Sequence, residues 1–346
     1  MLVKIILPQY LRLAVCVVVF AMVGISRAET GESIALYVSP QTLVKLPDGR
    51  NFNFVCKGEG APVVILEVGL GSWSYDWRSM HSRLAHISRV CISDRAGYGF
   101  SDPGPLPRDA IAEVTDLERA LLAAKLPPPY LLVGSSLGGL NARLFAYRNP
   151  DKVAGLLLLD PTTDLRTFGT SEQYAKFMDL AFNEHCLAQS RAGTLVPGQK
   201  RPEDAQPCVP LPDPAWTGSD TTAMIKVLSQ SSLFETILAE AKSGREADAD
   251  EVAAARHSLG DMPLVILSQD RSHFRLLRSF FPSRIDQDYD AWIAAHDDEA
   301  KDSTHGISRI IAGSGHVIAE DKPDSVESAL QEMMDAVRGS QVRADR

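Results

Sequence analysis

The chain has 346 residues, 45% hydrophobic and 23% charged, an ordinary globular composition with room for one large or two small domains around a sizeable core. Its formal charge is −9, from 44 acidic and 35 basic side chains. That balance argues against a nucleic-acid partner, because phosphate recognition needs clustered positive charge.

The first 28 residues stand apart. Lys4 and Arg12 precede an apolar stretch from Leu13 to Ile25, and Ser26, Arg27 and Ala28 put small residues at the third and first positions before a cut after Ala28. This predicts a secretory signal peptide over 1–28 and a periplasmic or secreted mature chain. The apolar stretch is shorter than the roughly 20 residues that span a bilayer, so no stable membrane insertion is expected once it is removed. Cys16 leaves with it, and Cys56, Cys91, Cys186 and Cys208 remain. An even count in an exported chain predicts disulfides, with three connectivities open; sequence separation favours Cys186 with Cys208. None of the four has the close paired spacing of a zinc site, and no metal or cofactor is expected.

Along the mature chain, residues from about 41 to 57 read as two strands around the turn pair Asp48 and Gly49, a hairpin signal. PVVILEVG follows as a continuous buried strand, then a helix from about Tyr75 to Ala85, then the strand RVCISD. The next helix carries Ile111, Val114, Leu117 and Leu121 on one face. LLVGSS and GLLLLD are further strands with a helix between them. Strands this apolar, alternating with helices, predict a mostly parallel sheet covered on both faces. From 165 to 260 the rhythm breaks into Pro-rich and polar helical sequence, which predicts an inserted helical cap between two core segments, 29–164 and 261–346. The core rhythm resumes with PLVILS, a helix near 286 to 300, the strand ISRIIA and a last helix from about Ser325 to Arg338.

The stretch LLVGSSLGGL raises the question of function. Its apolar strand runs into two serines among glycines, and the helix that follows has Leu137, Leu140, Leu144 and Phe145 at helical spacing. Gly134, Ser135, Ser136, Leu137 and Gly138 satisfy G-x-S-x-G with Ser136 at the centre, on a strand-to-helix turn. A nucleophile held there needs a strained backbone and neighbours without Cβ atoms, and it stands where free N–H groups favour a developing oxyanion. Ser135 occupies the variable position.

Together the hairpin, the parallel sheet, G-x-S-x-G after the fifth strand, a cap after the sixth and His316 in GSGH after the eighth resemble the α/β-hydrolase superfamily. EVGLGSW after the third strand and DRAGYGFSD after the fourth strengthen the likeness to small bacterial serine-nucleophile members. The resemblance implies an eight-stranded α/β-hydrolase fold with Ser136 as nucleophile and His316 as general base. It implies oxyanion donors on the backbone of Leu137 and Leu70. Many relatives carry His-Gly where this chain has Val68 and Gly69. The triad acid follows the seventh strand or the sixth in this superfamily; Asp270 is the first choice and Asp160 the alternative, while Asp94 and Arg95 are expected to brace the loop after strand four. Neighbouring second and fourth strands would pair Cys56 with Cys91.

The reaction so implied is cofactor-free cleavage of an ester or related acyl bond in a small molecule, by an exported enzyme. Trp216, Met224, Leu228, Leu233 and Phe234 could line an acyl pocket under the cap or simply form the cap's core. Aminopeptidase, lactonase and acyltransferase activity fit the same residues, and a non-catalytic binding protein on this fold is the rival from another class. Oligomeric state and substrate identity are not legible.

Overall fold

The computed structural model describes residues 34–344 except 164–165, 167–168, 205 and 281–283. The expected signal peptide lies outside the described residues. Eight strands form one sheet: β1 (Thr42–Lys45), β2 (Asn51–Lys57), β3 (Val63–Glu67), β4 (Val90–Asp94), β5 (Tyr130–Ser135), β6 (Val153–Leu159), β7 (Leu264–Ser268) and β8 (Gly306–Ile310). Their spatial order is β1-β2-β4-β3-β5-β6-β7-β8, and β2 alone runs against the others. The hairpin turns at Gly49, whose φ of 90° suits a residue without a Cβ.

Every residue of β3, β4, β5 and β7 is buried, as strands covered on both faces require. Alternate side chains of β3 supply two cores. Val63 and Ile65 pack with Val114, Leu117 and Leu121 of α2 (Ala110–Ala123) and with Leu140, Leu144 and Phe145 of α3 (Leu137–Arg148). Val64 and Leu66 pack with Met80 and Leu84 of α1 (Arg78–Leu84), and with Leu330 and Met334 of the C-terminal helix. One expected core residue is corrected: Ile111 is 45% exposed, and Ala110 takes the first place in the buried stripe of α2. Ala110 fits because it stands four residues before Val114, in line with Leu117 and Leu121, whereas Ile111 is turned aside by one helical step.

Between β6 and β7 run α4 (Ser171–Phe177), α5 (Leu180–Ala192), α6 (Gly218–Leu228), α7 (Ser231–Glu246) and α8 (Asp248–Ala255). Val252 of α8 joins the core that α2 and α3 cover, so the last helix of this stretch is tied to the sheet layer. After β7 come α9 (Arg271–Phe274) and α10 (Ile285–Ala300), and after β8 come α11 (Ile318–Asp321) and α12 (Pro323–Ala344). At the sheet edge β8 leaves Ile307 and Ile310 about half exposed. No helix among the described residues is long and apolar enough to cross a membrane.

Among the described residues there are two disulfides. Cys56 of β2 and Cys91 of β4 are register partners and are bonded, with Cα atoms 4.1 Å apart. Cys186 of α5 is bonded to Cys208. Such bonds persist in oxidising compartments.

His81 on α1 has a structural place. Its Nε2–H donates to the Val90 carbonyl at 2.9 Å, and Nδ1 accepts the Tyr37 hydroxyl at 2.9 Å. Burial pushes its pKa down from 6.5 to about 4. The folded state therefore holds the neutral ring, and this stability is complete above the unfolded pKa and lost as pH falls from about 6.5 through 4. Up to about 3 kcal/mol is at stake. Thermal unfolding of wild type and His81→Gln between pH 7 and pH 4 should show a flatter pH dependence in the variant; parallel curves would contradict the neutral, buried ring.

Candidate active site

β5 ends at Ser135 and α3 begins at Leu137, so Ser136 is the joint between them, with φ 53° and ψ −122°. A serine in this region costs about 1–3 kcal/mol and persists only where its surroundings over-determine it. Here the Ser136 N–H donates to the Leu159 carbonyl at 3.1 Å and its carbonyl accepts from Thr162 N at 2.9 Å, which ties the turn to β6 and the segment after it. Close packing around the turn leaves no room for Cβ atoms at Gly134 or Gly138: either would meet backbone atoms at 2.6 Å or less. Ser135, the last residue of β5, is 6% exposed.

His316 lies in the loop after β8. Its Nε2 is 2.9 Å from Ser136 Oγ, and its Nδ1 is 2.6 Å from Asp160 Oδ2. Asp160 follows β6 directly and is fully buried. Its four acceptor positions are taken up by His316, by the Gln269 backbone N–H at 3.1 Å, by Gln269 Nε2 at 2.7 Å and by Trp292 Nε1 at 3.0 Å. Burial alone would raise its carboxyl; the hydrogen bond and charge of His316, with smaller help from His296 and Trp292, hold it below the ordinary range instead. An ionised carboxylate at Nδ1 keeps the proton there and turns the Nε2 lone pair to Ser136. That arrangement lets an imidazole take the hydroxyl proton as oxygen attacks and return it to a leaving group.

The first-choice acid is corrected by this geometry. Asp270 makes no hydrogen bond to His316, whose ring partners are Asp160 and Ser136. It caps α9 by accepting Ser272 N at 2.8 Å, and it accepts Gly313 N at 2.8 Å. Those backbone donors, Gly313 first, hold its carboxyl down to about 2. Asp270 thus anchors the loop that carries His316, while Gln269, its neighbour, orients Asp160. Gln269 and Trp292 were not legible as site residues, since nothing in their sequence setting marks them.

Leu137 is the first residue of α3, where a backbone N–H has no intrahelical acceptor. The loop after β3 comes close from the other side: a Cβ on Gly69 would stand 3.3 Å from Ser136 Cβ and 3.8 Å from its Oγ. Leu70 follows in that loop. Arg95 donates to the carbonyls of Val68 at 2.6 Å and Gly69 at 3.0 Å. Bracing by Arg95 therefore reaches the loop after β3, beyond the expected loop after β4. Asp94 does brace its own loop, accepting Phe100 N at 3.1 Å.

Met224, Leu228 and Leu233 are buried in a cluster that Leu70, Phe100 and Trp216 also join, and Phe234 packs with Phe182 and Cys186. Trp216 donates through Nε1 to Tyr75 Oη at 2.9 Å. Leu228, Leu233 and Phe234 line a cavity of about 50 Å³ beside Cys208, and none of Ser136, His316 and Asp160 contributes to its wall. Among the described residues, no group of three or more His, Cys, Asp or Glu side chains is gathered to hold a metal ion.

A family model described as the alpha/beta hydrolase fold matches residues 62–187. Among curated proteins, the uncharacterized protein YqjL of Bacillus subtilis is 34% identical over 105 residues, 30% of this chain and 42% of that protein. The chain spans less than half the length of the curated relatives it matches. Among solved structures, a thermophilic esterase from Thermogutta terrifontis superposes with a TM-score of 0.56 at 17% identity, covering 86% of this chain and 99% of that one. The enol-lactonase from Burkholderia xenovorans LB400 gives 0.57 at 16% identity, covering 85% and 100%. With its strand order, its helices on both faces and these likenesses, the chain has the α/β-hydrolase fold.

Proposed function

We propose that the protein is an exported serine hydrolase that cleaves an ester or lactone through an acyl-enzyme on Ser136. The observation that carries this reading is the continuous hydrogen-bonded chain from Ser136 Oγ through His316 to buried Asp160, with contacts of 2.9 and 2.6 Å. In the proposed cycle Ser136 Oγ attacks the acyl carbon, His316 takes its proton and passes it to the departing alkoxide, and the Asp160 carboxylate stabilises the imidazolium between. Backbone N–H groups of Leu137 and Leu70 would receive the oxyanion. Water, deprotonated by the same His316, then releases the acid. The esterase and lactonase among the structural neighbours support the bond type, since an open ester and a lactone present the same carbonyl chemistry. The reading of export rests on the sequence of residues 1–28, and the two disulfides support it.

The test is a fluorophosphonate probe on the purified protein. It should label Ser136 and not Ser135, and turnover of p-nitrophenyl esters of graded chain length, with γ- and δ-lactones beside them, should disappear in proportion to labelling. A label on Ser135, or unlabelled protein with full turnover, would contradict the proposal.

A further inference from the structure

The loop after β3 is fastened to one buried unit at three points. Arg95 holds the carbonyls of Val68 and Gly69, and the Tyr98 hydroxyl accepts the Gly71 N–H at 3.1 Å. Both side chains converge on Glu240 of α7: Arg95 Nε and Nη2 donate to its two carboxylate oxygens at 2.9 and 3.1 Å, and Tyr98 Oη donates to Oε2 at 2.6 Å. Arg95 and Glu240 are at most 3% exposed and Tyr98 is fully buried. Glu240 thus comes from the helical stretch between β6 and β7, while the loop it fastens belongs to the sheet layer.

This arrangement has a directional consequence. Across a trans peptide the carbonyl oxygen and the next residue's N–H point to opposite sides. With the Gly69 oxygen held by the guanidinium, the Leu70 N–H is turned away from Arg95. A flipped Gly69–Leu70 peptide would strip a buried cation of an acceptor and turn a carbonyl into the space beside Ser136. Arg95 would keep its pairing with Glu240, but a buried guanidinium N–H left without an acceptor is costly. Tyr98 holds the far end of the same short loop, so rotation cannot be absorbed at Gly71.

We propose that Glu240, acting through Arg95 and Tyr98, is a positioning residue that sets the Gly69–Leu70 peptide plane and thereby keeps the second oxyanion donor in place. This rests on the serine hydrolase reading above. Glu240 touches no reacting atom; its effect is confined to how well the oxyanion is received. Removing a donor outright costs about 10²- to 10³-fold in kcat, so misaiming one should cost less.

Glu240→Gln and Tyr98→Phe, each made in the full mature chain, test it. In Glu240→Gln, kcat for the best p-nitrophenyl ester should fall about 10- to 100-fold with KM within about twofold, and the Kd of an alkyl trifluoromethyl ketone should rise by the same factor. That ketone forms an oxyanion adduct on serine, whereas a general loss of packing would move KM and the melting temperature instead. Tyr98→Phe keeps the Arg95–Glu240 pair and should show the same pattern at a few-fold, which preserves the test should Glu240→Gln fail to fold. Folded variants with wild-type kcat, or with lowered kcat and unchanged ketone affinity, overturn the positioning role and leave the hydrolase reading intact. A wild-type protein with neither turnover nor label on Ser136 overturns both.

Discussion

Asp160→Asn should lower kcat about 10³- to 10⁴-fold with KM and fold nearly unchanged, the scale of loss that follows when a triad carboxylate becomes an amide. The cause is local. Asp160 Oδ2 now accepts from His316 Nδ1 and Gln269 Nε2, while Oδ1 accepts from Trp292 Nε1 and the Gln269 N–H. An asparagine can satisfy the Oδ1 pair with its oxygen only by placing its NH₂ where Oδ2 stood. Gln269 adapts by turning its own amide; His316 adapts by accepting at Nδ1. Its proton then sits on Nε2 and faces Ser136 with a donor where a base is needed. Asp270→Asn keeps a side-chain oxygen for the cap of α9 and loses one of its acceptor oxygens. Its cost should stay below about tenfold in kcat with the fold retained, because asparagine caps a helix about as well as aspartate. Steady-state kinetics and circular dichroism on both variants decide the matter. Near-normal turnover in Asp160→Asn beside a crippled Asp270→Asn would return the acid to the loop after β7.

A second large effect is expected from a single methyl group. In Gly138→Ala the new Cβ would stand 2.1 Å from the Glu67 carbonyl oxygen, 2.3 Å from its carbon and 2.7 Å from Val68 N. All three are backbone atoms, so no side chain can rotate out of the way. Either α3 moves off the sheet or the end of β3 moves with the loop that follows it. Both carry parts of the proposed site, and a shift of about 1 Å there is enough for a loss of about 10²-fold. Overpacking adds a stability cost of about 1–3 kcal/mol. Gly218→Ala, at the open first position of α6, is the control: nothing lies within 4 Å of its Cβ, and kcat should not change. Equal kinetics and equal melting temperatures for Gly138→Ala and wild type would mean that the turn is not packed as described.

Much of this architecture can be read from residue order because its causes are local. Apolar runs such as VVILE and LLVGS mark strands buried on both faces, and their alternation with helices selects a covered parallel sheet. The G-x-S-x-G turn carries its own constraint: the glycines flank Ser136 where a Cβ would meet backbone, so the pattern itself marks the strained residue. His316 stands on the short loop after β8, close in sequence to the strand that delivers it.

The acid is different in kind. Asp160 and Asp270 both stand just beyond the ends of adjacent parallel strands, and residue type and spacing treat them alike. What separates them is backbone direction. Asp160 takes φ 44° and aims inward beneath His316, whereas Asp270 takes an extended φ of −79° and bends its carboxylate onto the first N–H groups of α9. Glu240 carries no signal at all, being one acid among several on a helix; it becomes distinctive only when α7 lies over the loop after β3 and shuts Arg95 and Tyr98 in with it. By itself, then, the sequence determined the sheet, the strained serine and the histidine, because near neighbours in the chain enforce them. Only the tertiary structure decided which carboxylate meets His316 and which one steadies Arg95, because those choices depend on where side chains far apart in sequence point once the strands and helices are packed.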